Sequence, residues 1–191
     1  MKLSRDFYCR DNVVQIAQEL LGKVLCTKFN DTLTSGIITE TEAYAGLTDR
    51  ASHAFGGRRT PRTEIMYAKG GTAYVYFCYG MHHLFNVVTN EKNIPHAVLI
   101  RAVKPLKGTE TILVRRNQKE MNAKICCGPG TVAQGLGIKT SHTGTDLLGK
   151  NIWIEDLKIK IQKQHIIKSP RIGVSYAGAD ALLPYRFISE I

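Results

Sequence analysis

The segment Glu40-Thr41-Glu42-Ala43-Tyr44 sets two carboxylates and a phenol at alternate positions in a stretch rich in β-branched residues. On a strand, period two places Ile38, Glu40, Glu42 and Tyr44 on one face and Ile37, Thr39, Thr41 and Ala43 on the other. A carboxylate at a strand end beside an aromatic ring can line a pocket wall, where partial burial raises its pKa toward general-base use. The same pair can hold magnesium, as in a nuclease. A solvent-facing edge strand carries it with no chemistry at all, and spacing does not separate the three.

The second chemical segment is Tyr74-Val75-Tyr76-Phe77-Cys78-Tyr79-Gly80-Met81. Tyrosine is a favoured strand former, so core packing explains much of it. In a basic protein, tyrosine faces also serve as stacking platforms for bases, and a side chain at a hairpin tip can act as a wedge between base pairs. The six histidines (His53, His82, His83, His96, His142, His165) are too scattered to form a metal set, and the H-x-E with P-C-x-x-C signature of zinc deaminases is absent. Five cysteines, with no C-x-x-C, read as reduced thiols.

These residues need elements to hold them. Residues 11–21 form the clearest helix, with Val13, Ile16, Ala17, Leu20 and Leu21 on one face, Asp11 able to cap its start and Gly22 its end. Residues 23–27 and 36–44 read as strands around the turn-prone Asn30-Asp31. Residues 45–71 are loop-like and long enough to be functional. Residues 72–78 and 81–89 make a hairpin with Tyr79 at or near its tip, and 97–103 add a third strand. Helices are expected near 109–117 and 131–136, the second ending at Gly137. The last third, with Trp153 and the Lys158-Ile159-Lys160-Ile161 alternation, returns to strand. No linker divides the chain, so the reading is a single α+β domain over residues 1–191.

The 191 residues carry 26 Lys+Arg against 16 Asp+Glu, a net charge of +10 at 43% hydrophobic content. That is a folded, strongly basic body, which implies nucleic acid or an anionic membrane as partner. No lysine-rich amphipathic helix stands out, and the longest nearly apolar stretch, 73–81, is far short of the ~20 residues a transmembrane helix needs. The charged start, Met1-Lys2-Leu3-Ser4-Arg5-Asp6, is no secretory signal. The expected setting is cytoplasmic, at the nucleoid in a bacterium.

Taken in order, the E-T-E-A-Y run at 40–44, Ala51-Ser52-His53, the G-R-R-T-P-R run at 57–62, G-T-A-Y-V-Y at 71–76, Tyr79-Gly80-Met81, Asn86 and V-L-I-R-A at 98–102 resemble the alkyladenine (3-methyladenine) DNA glycosylases of the methylpurine type. The likeness extends to 3–7, 20–25, 127–130, 136–138, 170–173 and 177–178, nearly the whole chain.

The resemblance implies a curved, mainly antiparallel β-sheet with packed helices and a protruding β-hairpin. It implies an enzyme that flips alkylated or deaminated purines (3-methyladenine, 7-methylguanine, hypoxanthine, ethenoadenine) out of duplex DNA and excises them by water attack at C1′. In that scheme Glu42 activates the water and Arg101 lies close to both, while Glu40 inherits no catalytic role. Tyr44, His53 and Tyr76 enclose the flipped base. Asn86 disfavours the exocyclic amino group of guanine, and the backbone of Ile172 and Gly173 lines the pocket. Tyr79 enters the minor groove and fills the gap.

The scheme uses no metal and no cofactor, a monomer, double-stranded DNA as partner, and no membrane. A non-catalytic nucleic-acid-binding protein with the same basic surface and hairpin is the alternative. His82 and His83 stand where other aromatic side chains are expected in relatives. Gly128-Pro129-Gly130 reads either as a phosphate-binding helix start or as a plain entry turn.

Overall fold

The structure, a computed structural model, describes residues 1–190. A one-turn helix, α1 (Arg5–Tyr8), leads into α2 (Val13–Glu19), which buries Val13, Ile16 and Ala17. The helix is shorter than its apolar pattern. Asn12 caps it in place of Asp11, its side chain accepting the Gln15 N–H at 2.9 Å. Gly22, at φ 77°, then turns the chain so that its N–H reaches the Ile38 carbonyl.

Strands β1 (Val24–Phe29) and β2 (Thr32–Tyr44) form a hairpin around Asn30 and Asp31, at φ 48° and 59°. Both are left-handed, as a type I′ turn requires, and Asn and Asp tolerate that region better than other side chains. A second hairpin joins β3 (Thr72–Cys78) to β4 (His82–Thr89), followed by β5 (His96–Lys107), α3 (Thr109–Arg116), α4 (Pro129–Leu136), β6 (Ile152–Glu155), β7 (Ile166–Ser169) and β8 (Arg186–Ser189). All pairings are antiparallel, in the order β3-β4-β5-β2-β1-β6, with β8 bridging β2 and β7. The molecule is α+β, an open eight-stranded sheet with a few helices. One core joins Ile16 and Leu20 near α2, Ile112, Val132 and Leu136 of α3 and α4, and the sheet residues Leu25, Ile38, Phe85, Val98 and Ile100.

Two expectations are corrected. Ile38 does not share a face with Glu40, Glu42 and Tyr44: it packs in the core with Ala43, on the side where the Thr41 hydroxyl donates to the Ala17 carbonyl. Between Ile38 and Glu40 two steps of β2 face one of β5, and this bulge inverts the alternation. Residues 158–161 are not strand. Lys158 adopts φ 60°, its N–H bound to the Asp156 side chain at 2.6 Å, and that local turn ends the extended run. The loop at 45–71 contains three short 3-10 turns, Gly46–Thr48, Phe55–Gly57 and Glu64–Tyr67. No helix among the described residues is long and apolar enough to cross a membrane.

Candidate active site

The end of β2 carries Glu42 and Tyr44 toward a cavity of about 360 Å³. Glu42 is fully buried. Its Oε2 accepts the Tyr44 hydroxyl at 2.8 Å and its Oε1 accepts the Ile172 N–H at 2.8 Å. Arg101 brings a positive charge, with Nη1 3.4 Å from the same Oε1. Burial pushes the Glu42 carboxyl above its ordinary pKa, and Arg101, Ile172 and Tyr44 pull against that rise.

Arg101 sits where the β2–β5 register skips it, between the pairs Glu40↔Ala102 and Thr41↔Ile100. The irregularity frees it from the alternation. Its carbonyl accepts the Gly128 N–H, and its Nε donates to Glu40 Oε1 at 2.8 Å. Arg186 approaches the same oxygen at 3.1 Å. Glu40 is thus held by two guanidiniums, an arrangement that leaves it a poor magnesium ligand. Among the described residues no group of three or more His, Cys, Asp or Glu could hold a metal ion.

The walls are aromatic. Tyr76 packs edge-on to His53 at 4.8 Å between ring centroids. His53 Nδ1 lies 2.8 Å from the Tyr74 hydroxyl and its Nε2 lies 3.0 Å from Arg62 Nη2. Arg62 Nη2 lies nearer Nε2 than Nδ1, at 3.0 against 3.4 Å, so the arginine and the Tyr74 hydroxyl together fix the imidazole in the wall. Burial first, then the charge of Arg62, lowers the His53 pKa to about 4, so the ring is neutral near pH 7. Asn86 is held from β4, its Nδ2 donating to the Tyr74 carbonyl at 3.2 Å.

The floor depends on residues the sequence reading passed over. Arg171, almost wholly buried, pairs with Asp49, Nη2 to Oδ1 at 2.8 Å, and also donates to the Ala43 carbonyl at 2.9 Å. Its guanidinium lies 4.9 Å from the Tyr44 ring centre. Asp49 in turn accepts the Ala45 and Ala51 N–H groups. One ion pair therefore ties the loop after β2 to the segment that aims the Ile172 N–H at Glu42. Gly173 follows at φ 76° with open space where a Cβ would stand, so its backbone conformation, not crowding, is what calls for glycine. Arg171 falls inside the 170–173 run of the resemblance, which gave it no role, and Asp49 carries no local signal.

At the opposite extreme, Tyr79 stands at the tip of the β3–β4 hairpin, 83% exposed, at φ 52° with Gly80 at 67°. Tyr44, His53, Tyr76, Tyr79, Asn86, Arg101, Ile172 and Gly173 all line the one cavity, with Glu42 behind it. His82 and His83 lie elsewhere. The His82 ring covers Gly130, where an added Cβ would come within 2.8 Å of it, and His83 Nδ1 accepts the Thr140 N–H at 3.2 Å. Gly128 precedes α4 with Pro129 at its first turn, as an entry turn does. The five cysteines are free thiols.

Compared with known proteins, residues 6–190 match the family model described as methylpurine-DNA glycosylase (MPG). A Chlamydia felis protein named "Putative 3-methyladenine DNA glycosylase" is 46% identical over 191 residues, covering 99% of this chain and 96% of its own. Proteins of the same name from Clostridium acetobutylicum and Desulfitobacterium hafniense are 43% and 40% identical, covering 93% and 99% of this chain and 88% and 95% of theirs.

Proposed function

The chain belongs to the methylpurine-DNA glycosylase family, hydrolases of DNA repair, and from that premise we propose that it extrudes an alkylated or deaminated purine from duplex DNA and cleaves its glycosidic bond with water. The observation that carries the reading is Glu42: a fully buried carboxylate behind an aromatic cavity, with each oxygen engaged by a fixed donor. Oε1 faces both the Ile172 N–H and Arg101, whereas Oε2 has the Tyr44 hydroxyl alone and so keeps an acceptor site for a water molecule.

A stacked base cannot be attacked at C1′, so the nucleotide must first leave the helix, at a cost of a few kcal/mol that is lower for damaged pairs. Tyr79 fills the gap. Tyr44, Tyr76 and His53 enclose the base, and Asn86 selects against the guanine amino group. Bases alkylated at N3 or N7 are cationic, and the two tyrosine faces favour them by about 0.5–2 kcal/mol. Water then gives its proton to Glu42 as its oxygen bonds to C1′. The glycosidic electron pair departs with the base, neutralising the positive ring, and an abasic site remains. Hypoxanthine, being neutral, needs a proton as it leaves.

Burial raises the Glu42 pKa and makes it a stronger base, while Arg101 keeps it ionised. The lesion range is 3-methyladenine, 7-methylguanine, hypoxanthine and ethenoadenine, handled by a monomer without metal or cofactor. The test is to incubate the protein in EDTA with duplexes carrying each lesion and to identify the released bases. Release from the methylated duplexes supports the reading. Strong binding with no release from any of them leaves a DNA-binding protein instead, and activity lost in EDTA restores the nuclease.

A further inference from the structure

The β3–β4 hairpin is a partition between two depressions. On one side Cys78 and Tyr79 line the base cavity. On the other, Met81, His82 and His83 line an open groove of about 860 Å³. Helix α4 divides in the same way, with Pro129 on the cavity side and Gly130 on the groove side.

The groove has the chemistry of a polyanion site. Lys28, Arg115 and Lys139 line it, and among the described residues that do so none is Asp or Glu. Arg115 is fixed, its Nη1 donating to Thr34 Oγ1 and the Gly135 carbonyl, both at 3.2 Å. Lys28 is paired at 3.0 Å with Asp31, but that carboxylate is 96% exposed, so a phosphate can take its place. Phe29 and His142 stack on each other within the lining at 4.3 Å and an interplanar angle of 4°.

We propose that this groove holds the phosphodiester backbone of the complementary strand, opposite the lesion. The inference rests on the base-cavity reading: a duplex straddling Tyr79 with its damaged strand over Glu42 brings its other strand to the far side of the hairpin. The chemistry of the groove would equally suit a free phosphate-bearing molecule, and the test separates the two sources.

Binding of an unreactive duplex with a tetrahydrofuran abasic site is measured between 50 and 200 mM salt for the wild type and for Lys28→Gln/Lys139→Gln. Each lost phosphate contact flattens the log–log salt slope by about 0.9, worth about 3-fold in affinity over that range. The double variant is expected to lose about 1.8 in slope, so that between 50 and 200 mM its affinity falls roughly 12-fold less than the wild type's. Neutral methylphosphonates on the complementary strand should weaken the wild type more than the variant, which keeps only Arg115 of the three groove cations. An unchanged salt slope overturns the proposal. So do methylphosphonates that weaken both proteins equally, since the lysines would then serve some other phosphate. Absence of base release by the wild type defeats the base-cavity reading, whereas release with no such coupling defeats this inference alone.

Discussion

The floor of the cavity and the tip of the hairpin are built by opposite means. At the floor, Glu42, Arg101, Asp49 and Arg171 are all buried, and each charge has a partner at hydrogen-bond distance. At the tip, Tyr79 and Met81 are exposed, on a turn with nothing within 4 Å of the position a Gly80 Cβ would take. A buried charge needs its partners, so the floor can hold a carboxylate in one orientation only with the fold around it intact. The exposed tip contributes little to the core and is free to serve an outside surface. The contrast implies that changes at the floor damage stability and rate together, while changes at the tip damage only capture of the substrate.

The largest expected effect is at the floor. Arg171→Met leaves Asp49 buried and unpaired and should cost about 3–5 kcal/mol of stability, read from denaturant melts. A loss below 1 kcal/mol would mean that the pair is not structural. Next comes the tip. Tyr79→Ala should weaken the extruded state by about 1–3 kcal/mol, followed by ethenoadenine fluorescence, with stability unchanged to within about 0.5 kcal/mol. An unaltered flipping equilibrium removes Tyr79 from the wedge. Smallest is the wall between them. Tyr76→Leu should lower the preference for 7-methylguanine over hypoxanthine by about 2- to 30-fold, the loss of a contact worth about 0.5–2 kcal/mol. Equal losses on both bases would make that ring a packing surface alone.

Much of this contrast was legible in the sequence because its signals are local. Asn30-Asp31 and Tyr79-Gly80 mark tight turns by residue type, and all four residues are left-handed in the structure. The nine positions singled out by family resemblance meet at a single cavity, although they come from four strands and three loops. What escaped was non-local pairing and, at two points, competition between neighbouring polar side chains. The bulge that sends Ile38 away from Glu40 arises from pairing with β5, which period two along β2 does not encode. The Arg171–Asp49 pair joins positions 122 apart. At 158–161 an alternating pattern failed because one Asp156 side chain captures the Lys158 N–H, and Asn12 took the cap expected of its neighbour Asp11 by the same kind of local competition.

Glu42 is the centre of the account, and its ionisation is the most direct probe. Single-turnover excision of 7-methylguanine measured against pH should fall on the acid side through a midpoint above the ordinary glutamate value, because burial raises the Glu42 pKa and only the ionised form accepts a proton from water. His53, lowered by burial to about 4, is the other group titrating on the acid side, and the Glu42→Gln variant separates the two. Glu42→Gln should lose about 10²- to 10⁴-fold in rate and the limb with it. A Glu42→Gln protein that keeps the wild-type rate, or the same acid midpoint, would contradict the assignment.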